Sequence, residues 1–110
     1  MAFQPLEKLH RLHDGYRKVI RLGRGELLLL QEEGRVHIVS NQCTHMNAPL
    51  HNGTVTQGYL RCPLHGLEFS LDSGEPRVSG CMQALQVYRP VYEGNTIGID
   101  VPDGDSGRPY

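Results

Sequence analysis

The sequence has too few cysteines for a disulfide framework, no apolar stretch long enough to span a membrane, and no surplus of charge of either sign. Eleven basic and twelve acidic residues leave a formal charge of −1, with residues 1–40 summing to +2, 41–80 to −1 and 81–110 to −2. No basic stripe for nucleic acid emerges from that distribution. The longest purely apolar run is Leu27 to Leu30, far short of the ~20 residues a membrane span needs, so no membrane anchor is expected. Met1 to Lys8 lacks both a basic n-region and an apolar h-region, which argues against secretion. Three cysteines, two of them in the motif described below, leave Cys81 without a disulfide partner, as suits a reducing, cytoplasmic compartment. No repeat of the solenoid or propeller kind is present.

At 110 residues the chain is expected to form one domain with one core, over residues 1–101, followed by a Gly-, Asp- and Pro-rich tail at 102–110 that is expected to fray. Apolar and β-branched residues fall in short runs between Gly-containing turns, which predicts antiparallel β structure with little helix. Residues 16–22 and 26–31 read as strands joined at Gly23-Arg24-Gly25, and Glu33-Gly34 turns the chain into a third strand over 35–40. There Val36 and Ile38 share one face while Arg35 and His37 take the other. Further strands are predicted at 59–61, 67–70, 84–88 and 96–101, with a short helical turn at Leu6 to Leu9.

Against this background stand Cys43-Thr44-His45 and Cys62-Pro63-Leu64-His65, with sixteen residues between the pairs. Two thiolates and two imidazoles form a mixed donor set suited to a [2Fe-2S] core, with Cys43 and Cys62 on one iron and His45 and His65 on the other. Each pair follows a predicted strand and precedes residues that bend the backbone: Asn47, Pro49 and Gly53 after the first, Gly66 after the second. Two loops can therefore close over one site, with backbone N–H groups aimed at cluster sulfur. Tetrahedral zinc would accept the same four donors, but zinc sites normally place C-x2–4-C before H-x3–5-H. Neutral imidazoles in place of two thiolates ease reduction, giving about −150 to +300 mV against about −400 mV for plant-type ferredoxins.

The stretch Cys43 to Leu50, then Asn52-Gly53-Thr54-Val55, then Cys62 to Gly66 resembles the signature of Rieske-type ferredoxins. The turn Ser73-Gly74-Glu75-Pro76 and the strand Leu85 to Tyr88 fall where that family has its third cluster-covering loop and the strand after it. The resemblance implies an all-β fold of three small antiparallel sheets with the cluster at one tip, His45 and His65 facing solvent and Cys43 and Cys62 inward. Respiratory relatives add a cysteine pair that would fall at Ala48 and Leu64, and hydroxyls at the positions of Leu67 and Phe69. Their absence places this chain in the low-potential branch. Asn47 stands where Gly is usual, and Gly80 where many relatives have Pro.

The resemblance further implies a one-electron carrier, one [2Fe-2S] cluster per chain, that takes electrons from a flavin-dependent reductase and delivers them to a terminal oxygenase. The chain is expected to be a monomer and not itself an enzyme, because 110 residues leave no room for the second, mononuclear-iron domain of a Rieske oxygenase. The alternatives are a Rieske subunit bound permanently to a larger oxidoreductase and a structural zinc module. Cys81 reads as a packed thiol, and His10, His13, His37 and His51 as solvated or hydrogen-bonded histidines. Met46, Pro49, Leu50, Leu64 and Leu67 flank the ligands, either packed between the loops or forming an apolar docking rim around the histidines. Glu68 and Asp72 read as a solvated face.

Overall fold

A computed structural model describes residues 2–23, 25–42, 49–63, 66–77 and 84–101. Ten strands are present among them: β1 (Ala2–Lys8), β2 (Arg17–Leu22), β3 (Gly25–Glu32), β4 (Arg35–Ser40), β5 (Thr54–Thr56), β6 (Tyr59–Arg61), β7 (Glu68–Ser70), β8 (Val87–Tyr88), β9 (Val91–Glu93) and β10 (Thr96–Val101). They form three antiparallel sheets with orders β1-β10-β9, β2-β3-β4-β8 and β5-β6-β7. The all-β, three-sheet expectation holds, and no helix among the described residues is long and apolar enough to cross a membrane.

The four leucines of β3 explain the layering. A strand presents alternate side chains to opposite faces, yet Leu27 to Leu30 are all buried, so β3 must be covered on both sides. Leu27 and Leu29 join Leu6, Ile38, Ile97 and Ile99 in one cluster. Leu28 and Leu30 join Val39, Leu50, Leu60, Cys62, Phe69, Leu71 and Leu85 in the other. The middle sheet is thus packed between the β1-β10-β9 sheet and the small β5-β6-β7 sheet, and each leucine contributes on the order of 1.5–3 kcal/mol.

Two hairpins turn on left-handed pairs, Glu33 (φ 52°) with Gly34 (φ 77°) and Gln57 (φ 53°) with Gly58 (φ 81°), the geometry of a two-residue primed turn. Local patterning predicts the first hairpin but not the second: β5 is only Thr-Val-Thr, and Gln57 is not a usual residue for such a turn. β1 and β9 also escape it, because both are edge strands and β1 carries Pro5, tolerated at an edge where its missing N–H costs no ladder bond. The predicted helical turn begins later than expected, as a single 3-10 turn at Leu9–Arg11. Of the strand predicted at 84–88, only Val87–Tyr88 pairs, against Val39 and Ile38.

A bulge in β1 builds a clamp between two sheets. The register against β10 skips between Pro5 and Glu7, which turns two successive residues, Leu6 and Glu7, inward. The Glu7 carboxylate then accepts hydrogen bonds from the Tyr16 hydroxyl and the Lys8 N–H (2.8 Å) and pairs with Lys18 Nζ at 3.3 Å. Tyr16 first, then the Lys8 N–H, hold the Glu7 pKa down to about 2. A carboxyl lowered below its unfolded value stabilises the fold above that value, and the contribution is lost as the pH falls through the folded one. Thermal melts from pH 7 to pH 2 should therefore show a Glu7-dependent loss of stability that sets in below about pH 4.5. Glu7→Gln should lower the melting temperature at pH 7 and flatten that acid limb; an unchanged limb would show the clamp to be energetically silent.

Candidate metal centre

The second predicted ligand pair begins, at Cys62, on a turn set by local backbone bonds. Leaving β6, Cys62 donates its N–H to the Leu67 carbonyl (2.7 Å) and accepts at its own carbonyl from the Gly66 N–H (2.9 Å). Gly66 has φ +72°, so the predicted bending residue does occupy the left-handed region that glycine enters freely. Cys62 is 1% exposed, packed with Leu50, Leu60 and Phe69, and it is a free thiol. A soft donor in an apolar, water-shielded wall, on a turn rooted in two paired strands, fits a ligand to iron of a [2Fe-2S] cluster.

The first ligand loop is fastened at both roots by Asn41, a buried polar residue 1% exposed. Its Oδ1 accepts the Leu50 N–H at 2.9 Å, bridging the segment that carries Cys43 and His45. A peptide N–H can only donate, so the oxygen must face Leu50 and the amide nitrogen must face the other way. There Nδ2 donates to Glu26 Oε1 (3.2 Å) and to His51 Nδ1 (3.3 Å), so the His51 ring carries its proton on Nε2. Arg17 adds a second tie, donating to the carbonyls of His51 (2.9 Å) and Gly53.

Backbone packing then seats the exit of the first loop against the strand that leads into the second. A Cβ on Gly53 would stand 2.2 Å from the Arg61 carbonyl, so only glycine lets the exit of the first loop pass over the residue before Cys62. A similar contact closes the root of the third loop, where a Cβ on Gly74 would meet the Leu85 carbonyl at 1.9 Å. There the Leu85 N–H donates to the Gly74 carbonyl at 2.6 Å.

Of the four predicted ligands the structure places Cys62, buried as expected for an inward cysteine. Cys43, His45 and His65 lie outside the described residues, as do Met46, Asn47, Leu64, Gly80, Cys81 and residues 102–110. What the fold brings together is the framework: Leu50 at the exit of the first loop and Cys62 at the start of the second share one buried cluster. One expectation is corrected here. Leu50 is 0% exposed and packs in that core, so it cannot belong to an exposed docking rim; Leu67 is half-buried against the same cluster, while Pro49 is exposed.

Glu68 and Asp72 are engaged, with Arg77 at 3.5 Å and Arg35 at 3.1 Å. His10 and His13 are exposed and His37 and His51 partly buried. Desolvation holds His37 below the ordinary imidazole range. Among the described residues, which include only Cys62 of the four predicted ligands, no three His, Cys, Asp or Glu side chains come together as a metal site. Asn41, Glu26 and Arg17 are the site residues that sequence reasoning passes over. Asn41, two residues before Cys43, was open to notice as a polar residue ending an apolar strand. Arg17, 36 residues from Gly53, leaves no local signal.

The family described as the Rieske [2Fe-2S] domain matches residues 2–89. The chain is 37% identical over 89 residues to the ferredoxin component of the alkene monooxygenase system of Xanthobacter autotrophicus, covering 80% of this chain and 72% of that protein. It is 36% identical over 88 residues to apoptosis-inducing factor 3 of Mus musculus, where the match spans only 14% of the longer protein. Among solved structures, the Sphingomonas yanoikuyae B1 ferredoxin aligns with a TM-score of 0.80 and 25% identity, covering 92% of this chain and 100% of that one.

Proposed function

Because the chain belongs to the Rieske [2Fe-2S] domain family, we propose that it is a one-electron carrier whose Cys43, His45, Cys62 and His65 hold its [2Fe-2S] cluster. When bound, the cluster supplies reversible one-electron redox chemistry. The observation that carries this reading is the Cys62 turn, a buried thiol between two strands with the first loop's exit packed against it.

In this reading Cys43 and Cys62 hold the inner iron and fasten two loops to the core, while His45 and His65 hold the outer iron and face the partner. Phe69, 0% exposed in the same cluster as Cys62, presents a ring where high-potential relatives present a hydroxyl, which supports a potential in the lower part of the Rieske range. The name of the Xanthobacter relative, the ferredoxin component of a monooxygenase system, supports delivery to a terminal oxygenase; the electron source in this reading is a flavin-dependent reductase. The chain is then a carrier rather than a catalyst, working as a soluble monomer in the cytoplasm.

A second reading is favoured by the short span of the match to apoptosis-inducing factor 3: the same module can work as one part of a larger oxidoreductase. Stable association with a partner at nanomolar dilution would favour it over a free carrier.

The test is metal analysis with spectroscopy on protein expressed anaerobically with iron. The expected result is a red-brown protein with about two irons per chain and, on reduction, a paramagnetic signal of mixed nitrogen and sulfur ligation. A colourless protein holding stoichiometric zinc would overturn the assignment.

A further inference from the structure

The outer face of the β5-β6-β7 sheet ends in a row of side chains at the roots of all three loops. Thr54 pairs with Arg61, and Arg61 with Glu68; the Arg77 N–H donates to the Glu68 carbonyl at 2.9 Å, which adds Arg77 to the row. Thr54 follows the first loop, Arg61 and Glu68 flank the second, and Arg77 precedes the third. Alternation turns Leu60 and Phe69 into the core and leaves this row outward.

The row holds two guanidinium groups and one carboxylate, and they are not equivalent. Arg77 is engaged twice, with Glu68 at 3.5 Å and over the Tyr59 ring at 4.9 Å from its centroid. Arg61 is exposed and has no carboxylate partner among the described residues. Its guanidinium lies against Gly66, where a Cβ would stand 3.0 Å from Nη2 and 3.3 Å from Nε. A cation thus lies against Gly66, the residue that follows His65 in the sequence, on a chain whose formal charge is −1. The other acidic groups near this sheet do not cancel it: Asp72 is paired with Arg35, and Glu75 stands opposite Ser70, two residue pairs further from the loops.

We propose that Arg61 is a docking cation for the electron-transfer partner, which presents carboxylates around its own redox entry. This rests on the carrier reading above and adds charge recognition to it. With Leu50 buried, the apolar rim alone does not define the contact, and an uncompensated charge against Gly66 at the root of the second loop steers a partner of opposite sign.

The experiment uses the full chain with its cluster, reduced and then mixed in stopped flow with either ferricyanide, a trianion, or tris(phenanthroline)cobalt(III), a trication. Arg61→Gln and Arg61→Glu are compared with Arg61→Lys and with Arg89→Gln, an exposed arginine beyond β8 on the side away from the loops. At ~0.01 M ionic strength, where charges are felt over ~30 Å, Arg61→Glu should slow ferricyanide by about threefold to tenfold and speed the cobalt reagent. Arg61→Gln should lie between, while Arg61→Lys and Arg89→Gln should match the wild type. The differences should vanish at ~1 M salt.

Voltammetry guards against a change in driving force, which would move both reagents through the potential rather than in opposite directions. If Arg61→Glu matches Arg89→Gln, or slows both reagents alike, the proposal is overturned. A wild-type protein with no voltammetric wave would overturn the carrier reading and this proposal together. A normal wave with rates indifferent to Arg61 would overturn this proposal alone.

Discussion

Cys62→Ser should give a colourless protein with almost no iron, and Cys43→Ser should do the same. At neutral pH a serine hydroxyl keeps its proton and is a hard donor, whereas the inner iron in this reading takes two thiolates. The position adds a second penalty. Cys62 is 1% exposed among aliphatic and aromatic side chains, so the new hydroxyl is buried without a partner at a cost of about 1–3 kcal/mol. Because metal binding is coupled to folding, loss of the cluster should also lower the melting temperature and increase proteolysis at the ligand loops. Cys81→Ser is the control and should keep the visible spectrum. Bleaching by Cys81→Ser, or retention of full iron by Cys62→Ser, would contradict the ligand assignment.

Asn41→Leu, with the same branching and heavy-atom count but no polar atoms, should loosen the first loop without touching a ligand. It leaves the Leu50 N–H, now bonded at 2.9 Å, buried and unpaired, and removes the donor facing Glu26 and His51. An unsatisfied buried donor costs about 1–3 kcal/mol. At about 4–8 °C per kcal/mol for a domain of this size, the melting temperature should fall by roughly 5–20 °C, with faster bleaching on dilution into chelator. Asn41→Asp separates the contributions: it retains an acceptor for Leu50 but sets a carboxylate against Glu26. Such a pair raises the pKa of one member. A group raised in the folded state stabilises as it takes up its proton, so this variant should gain stability relative to wild type as the pH falls from 8 to 5. Melts and bleaching rates equal to wild type for Asn41→Leu would reduce Asn41 to a bystander.

The features readable without coordinates are those that short spacing encodes. Two Cys/His pairs between predicted strands make up the proposed donor set whatever the rest of the chain does. The meander over β2, β3 and β4 is written in short apolar runs, in the alternation along β4 and in Glu33-Gly34, because a strand's faces and a primed turn are both local geometry. Gly66 is legible for the same reason, its left-handed φ being a demand of the turn itself.

The tertiary structure decided whatever depends on what lies across a gap. Leu27 to Leu30 read as one apolar run, but only packing between two other sheets assigns Leu28 and Leu30 to the metal-centre side and Leu27 and Leu29 to the other. Leu50 could be rim or core by position, and contact with Leu60 and Cys62 made it core. The bulge that buries Glu7 depends on the register against β10, 90 residues along the chain. Asn41 and Arg17 fasten the first loop through partners up to 36 residues away. Hydrogen bonds and buried contacts between distant segments leave no periodicity in either segment, so a motif names the ligand chemistry, and the packed fold determines what holds those ligands and which charges surround them.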